Sequence, residues 1–278
     1  MTKRFGLILL LLLIGLLTEC FAQGRDFQLE ELYGPRRNRK LAGEAPATVV
    51  WMQDSRHYRL PVAQGPDLVV DARTGKSSPL FAFEPLASSL SKLSEGQLEH
   101  TEKLLESTEE MLSPSEEALL LRFEKDLFYY SLEGSLKRLT SDSAAEEFPE
   151  FSPSSEWVAY VKRNDLHVVE IQSGSIRELT SDGGENLLNG KLDWVYQEEI
   201  YGRGDFKGFW WSPDSQYIAF LQLDEAGVPR FPILNDLSID PQVEETLYPK
   251  AGDPNPGVRL GIVAIADGEI QWADLSGY

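Results

Sequence analysis

The sequence is poor in the groups that most often carry chemistry. It holds one cysteine, Cys20, and three histidines, His57, His100 and His167, in 278 residues. A single cysteine excludes an intrachain disulfide framework and any paired-cysteine zinc or redox site. The histidines form no H-E-x-x-H or H-x-H arrangement, so neither a metal nor a cofactor is expected. No serine has a glycine two residues before it and two after, so the nucleophile elbow of an α/β-hydrolase is missing and no catalytic residue is assigned. Positive charge is scarce too: 26 Lys and Arg face 45 Asp and Glu, a net charge of −19. Nucleic acid and anionic membrane surfaces both require a basic patch, which excludes them and leaves cationic ligands as the natural partners.

Long apolar runs are confined to the amino terminus. Lys3 and Arg4 precede an apolar run from Phe5 to Leu17, shorter than the roughly 20 residues of a membrane span and suited to a signal-peptide core. Two endings are open. Cleavage after Ala22 in Cys20-Phe21-Ala22-Gln23 leaves small residues at the required positions. Lipid attachment at Cys20 would follow Leu16-Leu17-Thr18-Glu19, where Glu19 occupies the place of a small residue. The first fits better, so residues 1–22 are expected to be a signal peptide, 23–278 the exported protein, and its location secreted or periplasmic.

What is present in quantity is repetition. Three segments share Ser-Pro followed by an apolar strand: Leu112-Ser113-Pro114, Phe151-Ser152-Pro153 leading into Trp157-Val158-Ala159-Tyr160, and Trp211-Ser212-Pro213 leading into Tyr217-Ile218-Ala219-Phe220. Leu-Thr-Ser-Asp occurs at Leu139 to Asp142 and again at Leu179 to Asp182, so two markers agree on a period of about 40 residues. Within one period the pattern is strand only: Trp157 to Val161, a turn at Arg163 to Asp165, Leu166 to Ile171, a turn at Ser173 to Ser175, then Ile176 to Thr180. Four short antiparallel strands per period predict the blade of a β-propeller rather than a β-sandwich. Val49 to Arg59 and Leu68 to Lys76 look like a divergent first blade, and Arg259 to Ala266 with Glu269 to Leu275 are expected to begin another. The fold class is therefore all-β, a partial propeller of about four to five blades, reading as the first part of a larger object. Leu98, Leu105 and Leu112 recur at helical spacing behind a capping-box pair, Ser94 and Gln97, and predict a solvated helix over Ser94 to Met111.

The interval from Ser152 to Ser212 exceeds one blade by about 20 residues, so Gly183 to Asp205 must hold an insertion. It reads Asp193-Trp194-Val195-Tyr196-Gln197-Glu198-Glu199-Ile200-Tyr201. Neighbouring side chains on a strand point to opposite faces, so Glu198 and Glu199 can converge on one ligand only if this piece is a helical turn or irregular. Two carboxylates held together suit an ammonium group with its three donors. In a chain with 45 acidic residues, the residues alone favour a solvated pair.

Asp-Trp-Val-Tyr-x-Glu-Glu-Ile, then Trp210-Trp211-Ser212-Pro213-Asp214, then Tyr248-Pro249-Lys250-Ala251-Gly252-x-x-Asn255-Pro256-x-Val258 resembles the amino-terminal propeller of the dipeptidyl peptidase IV family of serine exopeptidases. The resemblance covers roughly Leu112 to Val263. It implies an eight-bladed propeller capping a carboxy-terminal α/β-hydrolase domain, the latter absent from this chain, in an enzyme that removes dipeptides bearing proline or alanine in second position. The family's double glutamate binds the free α-amino group of the substrate, and it falls on Glu198 and Glu199. Arg122 is the nearest counterpart of a substrate-contacting arginine on an earlier blade, although the loop after it is shorter than the family's and a surface arginine fits as well. The implied partners are peptides with a free amino terminus, the hydrolase domain if translation continues, and a second copy in a homodimer. The chain alone is expected to be inactive. The alternative is a stand-alone periplasmic propeller that binds peptides or a protein partner.

Overall fold

Short alternating runs bounded by turn residues build antiparallel sheets here, because each strand has one set of side chains to bury on each face. The computed structural model describes residues 48–277 apart from 63–64, 94–108, 124, 142, 202–204 and 236–241, all within the unit Thr48–Tyr278. The leader at 1–22 with Cys20, His100, and most of the predicted helix from Ser94 lie outside the described residues.

Apart from one hairpin, the described strands form four blades. The first holds β1 (Val50–Trp51), β2 (His57–Leu60), β3 (Leu68–Asp71) and β4 (Ser77–Pro79), joined in chain order. The second holds β5 (Glu109–Leu112), β6 (Ala118–Phe123), β7 (Asp126–Ser131) and β8 (Leu136–Arg138). The third holds β9 (Glu147–Phe151), β10 (Trp157–Lys162), β11 (Asp165–Glu170) and β12 (Ile176–Glu178). The expectation of a divergent first blade and of blades in the 40-residue repeat is met. A helix, α1 (Phe83–Leu93), precedes the region where one was predicted, and the last predicted helical residues, Glu109 to Met111, are strand instead. The signal for α1 is present: Phe83, Leu86, Ala87 and Leu90 stand at i, i+3, i+4 and i+7, and the last three are buried against Leu119, Leu121 and Phe128 of the second blade.

The fourth blade differs in two ways. Its first strand is split: β13 (Leu187–Asn189) and β14 (Phe209–Trp211) both pair with β15 (Tyr217–Asp224), one with each half. Its third and fourth strands are β18 (Gly257–Ala264) and β19 (Ile270–Trp272). These are the segments expected to open a further blade; they complete this one. The reason is a hairpin of β16 (Arg230–Asn235) and β17 (Gln242–Leu247), inserted between β15 and β18, which pairs only with itself.

Both sequence markers have a hydrogen-bond cause. The hydroxyls of Ser113, Ser152 and Ser212 accept the N–H of Ala118, Trp157 and Tyr217 at 2.9–3.1 Å, closing the turn that follows each Ser-Pro. Thr140 and Thr180 accept the N–H of Leu127 and Leu166 at 2.8 and 2.9 Å, fastening the last strand's end to the start of the third in each blade. The turns also link blades: Ser155 Oγ accepts the Ser115 N–H and Ser215 Oγ accepts the Ser154 N–H, at 3.0 and 2.9 Å. Alternation supplies the packing. Val158 and Tyr160 face Leu120 and Leu127 of the second blade, while Ala159 and Val161 face Ile218, Phe220 and Val263 of the fourth.

At the break in the first strand of the fourth blade, three main-chain bonds form a triangle. Gly190 donates to Leu221 O, Leu221 donates to Gly208 O, and Gly208 donates to Gly190 O, at 2.8–2.9 Å. Gly190 adopts φ +69°, and a Cβ on Gly208 would sit 3.1 Å from Lys191 N and 3.2 Å from Gly190 C. Those are backbone atoms held by the triangle, so they have little room to give. Gly208→Ala is expected to cost about 1–3 kcal/mol, read as a lower urea midpoint at unchanged slope; an unaltered midpoint would show that the neck is slack.

His167 in β11 is 6% exposed, stacks on Tyr160 with ring centroids 5.4 Å apart, and places Nδ1 3.0 Å from Asp165 O. Burial pushes its pKa below the usual 6.5, outweighing the bond to Asp165. The unfolded chain therefore takes up this proton first, and the contribution present above pH 6.5 is lost as pH falls through that value. His167→Gln should flatten the decline of the urea midpoint between pH 7 and pH 5; an equally steep decline in the variant would refute this.

Candidate functional site

The excursion from Gly190 to Gly208 carries the acidic pair, and its geometry starts at the strand it leaves. Asn189, fully buried, donates through Nδ2 to Asp165 Oδ1 at 3.1 Å and to Asp182 Oδ1 at 2.8 Å. Gln222 Nε2 donates to Asp182 Oδ2 and to Asn189 Oδ1, at 3.0 and 2.9 Å. Asp165 also accepts from Thr180 Oγ1 and the Gly183 N–H. This network joins the third blade to the strand that launches the excursion, so the launch point is fixed before the turn begins. Two ion pairs steady the neck: Lys191 Nζ lies 2.7 Å from Glu147 Oε1 and Lys207 Nζ 2.9 Å from Glu150 Oε1, both carboxylates on β9.

Beyond the neck the chain turns helical at Trp194, and Tyr196–Ile200 forms a π-helical turn closed by the Tyr201 N–H on Tyr196 O at 2.8 Å. Asp193, 5% exposed, begins it. Its Oδ2 accepts the Val195 N–H at 3.1 Å and its Oδ1 the Tyr196 N–H at 3.0 Å, satisfying donors that a helical start leaves without partners. Gln197 is buried, Glu198 half-buried and Glu199 exposed. Consecutive side chains on a helical turn diverge by roughly 100° rather than the 180° of a strand, so the condition set for the two glutamates to share a ligand is met in backbone form. Single π-turns are rare and frequent at functional sites.

Three separated sequence motifs meet at this turn. Trp194 packs on Tyr248 with ring centroids 4.5 Å apart. Tyr201 lies 6.3 Å from Trp210 and 6.5 Å from Tyr196. A cleft of about 360 Å³ is lined by Trp194, Glu199, Tyr248, Lys250, Asp253 and Asn255 among others. Neither Glu198 nor Arg122 lines that cleft. Arg122 stands on β6 in the second blade, opposite Leu127 of β7 and Glu109 of β5. Trp211 packs at the edge of the core between the third and fourth blades, a supporting role.

Sequence reasoning passed over Asp193 and Glu225. Asp193 had a signal, an acidic residue two and three positions before the N–H groups of a helical start. Glu225, half-buried just after β15, had none. Burial pushes its carboxyl up to about 7, the Asp193 charge adds to the rise, and Lys191 opposes it. Tyr196 is raised too, by burial first and by Asp193 next. Among the described residues no group of three or more His, Cys, Asp or Glu is placed to hold a metal ion, and no helix is long and apolar enough to cross a membrane.

Comparison with known proteins places the chain. The profile of the family described as the dipeptidyl peptidase IV (DPP IV) N-terminal region matches residues 92–277. The chain is 41% identical to dipeptidyl aminopeptidase B of Saccharomyces cerevisiae over 123 residues, covering 42% of this chain and 15% of that protein. It is 37% identical to dipeptidyl peptidase 4 of Trichophyton rubrum over 144 residues, 49% of this chain and 18% of that protein. The chain thus spans under a fifth of the curated relatives it matches. The crystal structure of Porphyromonas gingivalis dipeptidyl peptidase 4 superimposes with a TM-score of 0.67 at 23% identity, over 91% of this chain and 35% of that one. A putative dipeptidyl aminopeptidase IV from Bacteroides ovatus gives 0.56 at 21% identity, over 84% and 31%. Four blades stacked in chain order, the split fourth blade with its acidic turn, and a profile match over residues 92–277 lead to one assignment: the chain belongs to the dipeptidyl peptidase IV family, through its N-terminal, propeller-forming region.

Proposed function

We propose that this chain is the substrate-gating propeller portion of a secreted dipeptidyl peptidase IV-like serine exopeptidase, in which Glu198 and Glu199 hold the free amino terminus of a peptide. The observation that carries the reading is the looped-out π-turn at a strand break, fastened at both ends, which presents one exposed and one half-buried carboxylate. An ammonium group anchored there is fixed relative to the rest of the peptide. Orientation by binding then lets a distant nucleophile reach one bond only, the second, at the entropic advantage of an intramolecular reaction. Bond cleavage itself is assigned to the family's α/β-hydrolase domain and not to any residue named here. Export through the leader at 1–22, a homodimer, and a contact from Arg122 to the peptide belong to the same proposal. The supports for it are the family assignment and the names of the relatives, which are dipeptidyl peptidases.

A charge-assisted hydrogen bond contributes about 1.5–3 kcal/mol, which corresponds to roughly ten- to a hundred-fold in affinity. Titration calorimetry with an Xaa-Pro peptide bearing a free amino terminus is therefore expected to give at least about ten-fold tighter binding than with its acetylated form. Glu198→Gln and Glu199→Gln should each erase most of that difference. Equal affinity for the free and acetylated peptides would sink the role given to the two glutamates. A blot of source cells with an antibody to residues 112–263 separates the two architectures: a band at more than about twice the 31.3 kDa of this sequence is expected for the exopeptidase. A band near that mass would favour the stand-alone binding propeller.

A further inference from the structure

Strand β9 supplies both carboxylates at the neck of the excursion, and it does so through an irregularity. Phe151 lies opposite Val158 and Glu150 opposite Ala159, but the next pairing is Glu147 with Val161. Two residues, Phe148 and Pro149, therefore stand against the single Tyr160, which is a β-bulge. Phe148 carries it with φ +54°, a conformation costly for a bulky residue and unlike the extended one normal before proline. What the bulge changes is the face that each carboxylate occupies. Side chains three apart on a regular strand point to opposite faces. With one extra residue between them, Glu147 and Glu150 both share the face of Ala159 and Val161, which is turned to the fourth blade.

The fourth blade meets them with a matching arrangement. Lys191 and Lys207 stand opposite each other in an isolated antiparallel bridge, and like charges directly opposite destabilise a pairing. The main-chain bonds on either side of this bridge are Gly208 N–H to Gly190 O and Leu192 N–H to Phe206 O, at 2.9 and 2.7 Å. Each lysine takes one carboxylate: Lys191 Nζ is 2.7 and 2.9 Å from the two oxygens of Glu147, and Lys207 Nζ is 2.9 Å from Glu150 Oε1. Glu150 Oε2 is buried with no hydrogen-bond partner, so that carboxylate depends on Lys207.

We propose that the bulge at Phe148 is a latch for the amine-binding turn: it aligns Glu147 and Glu150, as positioning residues, on two lysines that otherwise repel across the neck. The third blade thereby holds shut a loop that belongs to the fourth. For its functional consequence this rests on the amine-binding reading of Glu198 and Glu199; the latch itself rests on register and distances.

Hydrogen exchange of the whole chain tests the latch without any ligand. Glu147→Gln with Glu150→Gln is expected to lower protection of the Gly208 and Leu192 amides about three-fold or more, the effect of losing two half-exposed ion pairs, while the amides of β10 and β11 keep theirs. Salt at about 0.5 M should loosen the neck of wild type and change the variant little. Phe148→Gly and Phe148→Val separate backbone from packing, since both lose the ring but only glycine holds φ +54° without strain. The glycine variant should keep wild-type protection at the neck, and the valine variant should lose it. Undiminished protection in Glu147→Gln with Glu150→Gln overturns the latch, whatever becomes of the Phe148 variants. Equal protection in the two Phe148 variants overturns the part given to the bulge, and a valine variant that fails to fold where the glycine variant folds supports it.

Calorimetry with free and acetylated Xaa-Pro peptide then reads the functional consequence, and its sign separates position from field. Lys191→Met with Lys207→Met removes two positive charges near the turn. A purely electrostatic role predicts a stronger preference for the free amine, whereas loss of the latch predicts a weaker one, as in Glu147→Gln with Glu150→Gln. Both double variants are expected to lower the discrimination about three-fold or more. Greater discrimination in the lysine variant, or wild-type discrimination in the glutamate variant despite a loosened neck, overturns the positioning role alone. No discrimination in wild type overturns the amine-binding reading and the functional half of this proposal, while the exchange result still judges the latch.

Discussion

The interruption of one β-strand at Leu221 is the constraint on which the candidate site depends. A strand in the middle of a sheet has its N–H and C=O groups committed, and breaking its neighbour strands several of them. Here the two halves, β13 and β14, meet at Gly190 and Gly208, and the triangle of bonds with Leu221 satisfies the groups that the break would leave open. Only glycine allows both chains to approach so closely, one of them with φ +69°. An excursion closed this tightly behaves as a short-ended loop whose base cannot breathe, and residues at its far side inherit a defined position. The acidic turn is thereby carried by the sheet rather than by a floppy connection.

The position is maintained by different physics at each level. At the base it is polar, with Asn189 and Gln222 linking Asp165 and Asp182 across the blade boundary, each carboxylate oxygen that takes part having a donor. In the middle it is apolar, with Leu188, Leu192 and Leu223 buried together and Tyr196 against them. At the outer edge it is aromatic, where Trp194 meets Tyr248, and Tyr248 in turn meets Phe231 of the inserted hairpin with centroids 5.8 Å apart. The hairpin that obscured the blade count is thus a buttress of the turn, because its far end delivers Tyr248.

How much of this could be read in advance depended on whether the cause was local. Ser-Pro and Leu-Thr-Ser-Asp were visible as repeats because each encodes a bond between residues at most fourteen apart, and the same bond recurs in successive blades. The acidic pair was visible because an insertion breaks a period; the adjacency of two carboxylates was not itself distinctive, since Glu109 and Glu110 are neighbours on β5 and Glu244 and Glu245 on β17. The membership of β18 and β19 was not visible. The hairpin between β15 and β18 has the same alternation as a blade's own strands, and only pairing over about 40 residues, as between Ala219 and Ile262, tells them apart. The first helix was legible in its i, i+3, i+4, i+7 stripe, but a stronger leucine repeat just downstream drew the assignment away. Glu225 carried no signal whatever: its environment is made by Asp193 and Lys191, residues more than thirty positions earlier.

Charge explains why an acidic turn can work in a chain already carrying −19. Beyond about 8–10 Å, exposed charges are largely screened at physiological ionic strength, so a ligand at the turn responds to the charges beside it and not to the chain's net charge. What matters is whether nearby lysines neutralise it. The two at its neck, Lys191 and Lys207, are bonded to Glu147 and Glu150 on β9, and Lys207 also sits over the Phe209 ring. Lys250, in the cleft with Glu199, lies over the Phe231 ring, its Nζ 5.3 Å from the centroid. Each of these cations has a partner of its own in the fold, a carboxylate for Lys191 and Lys207 and an aromatic ring for Lys250. On the proposed reading, an incoming ammonium group competes at the turn with lysines that already have partners: two at the neck paired with carboxylates, and Lys250 in the cleft over a ring.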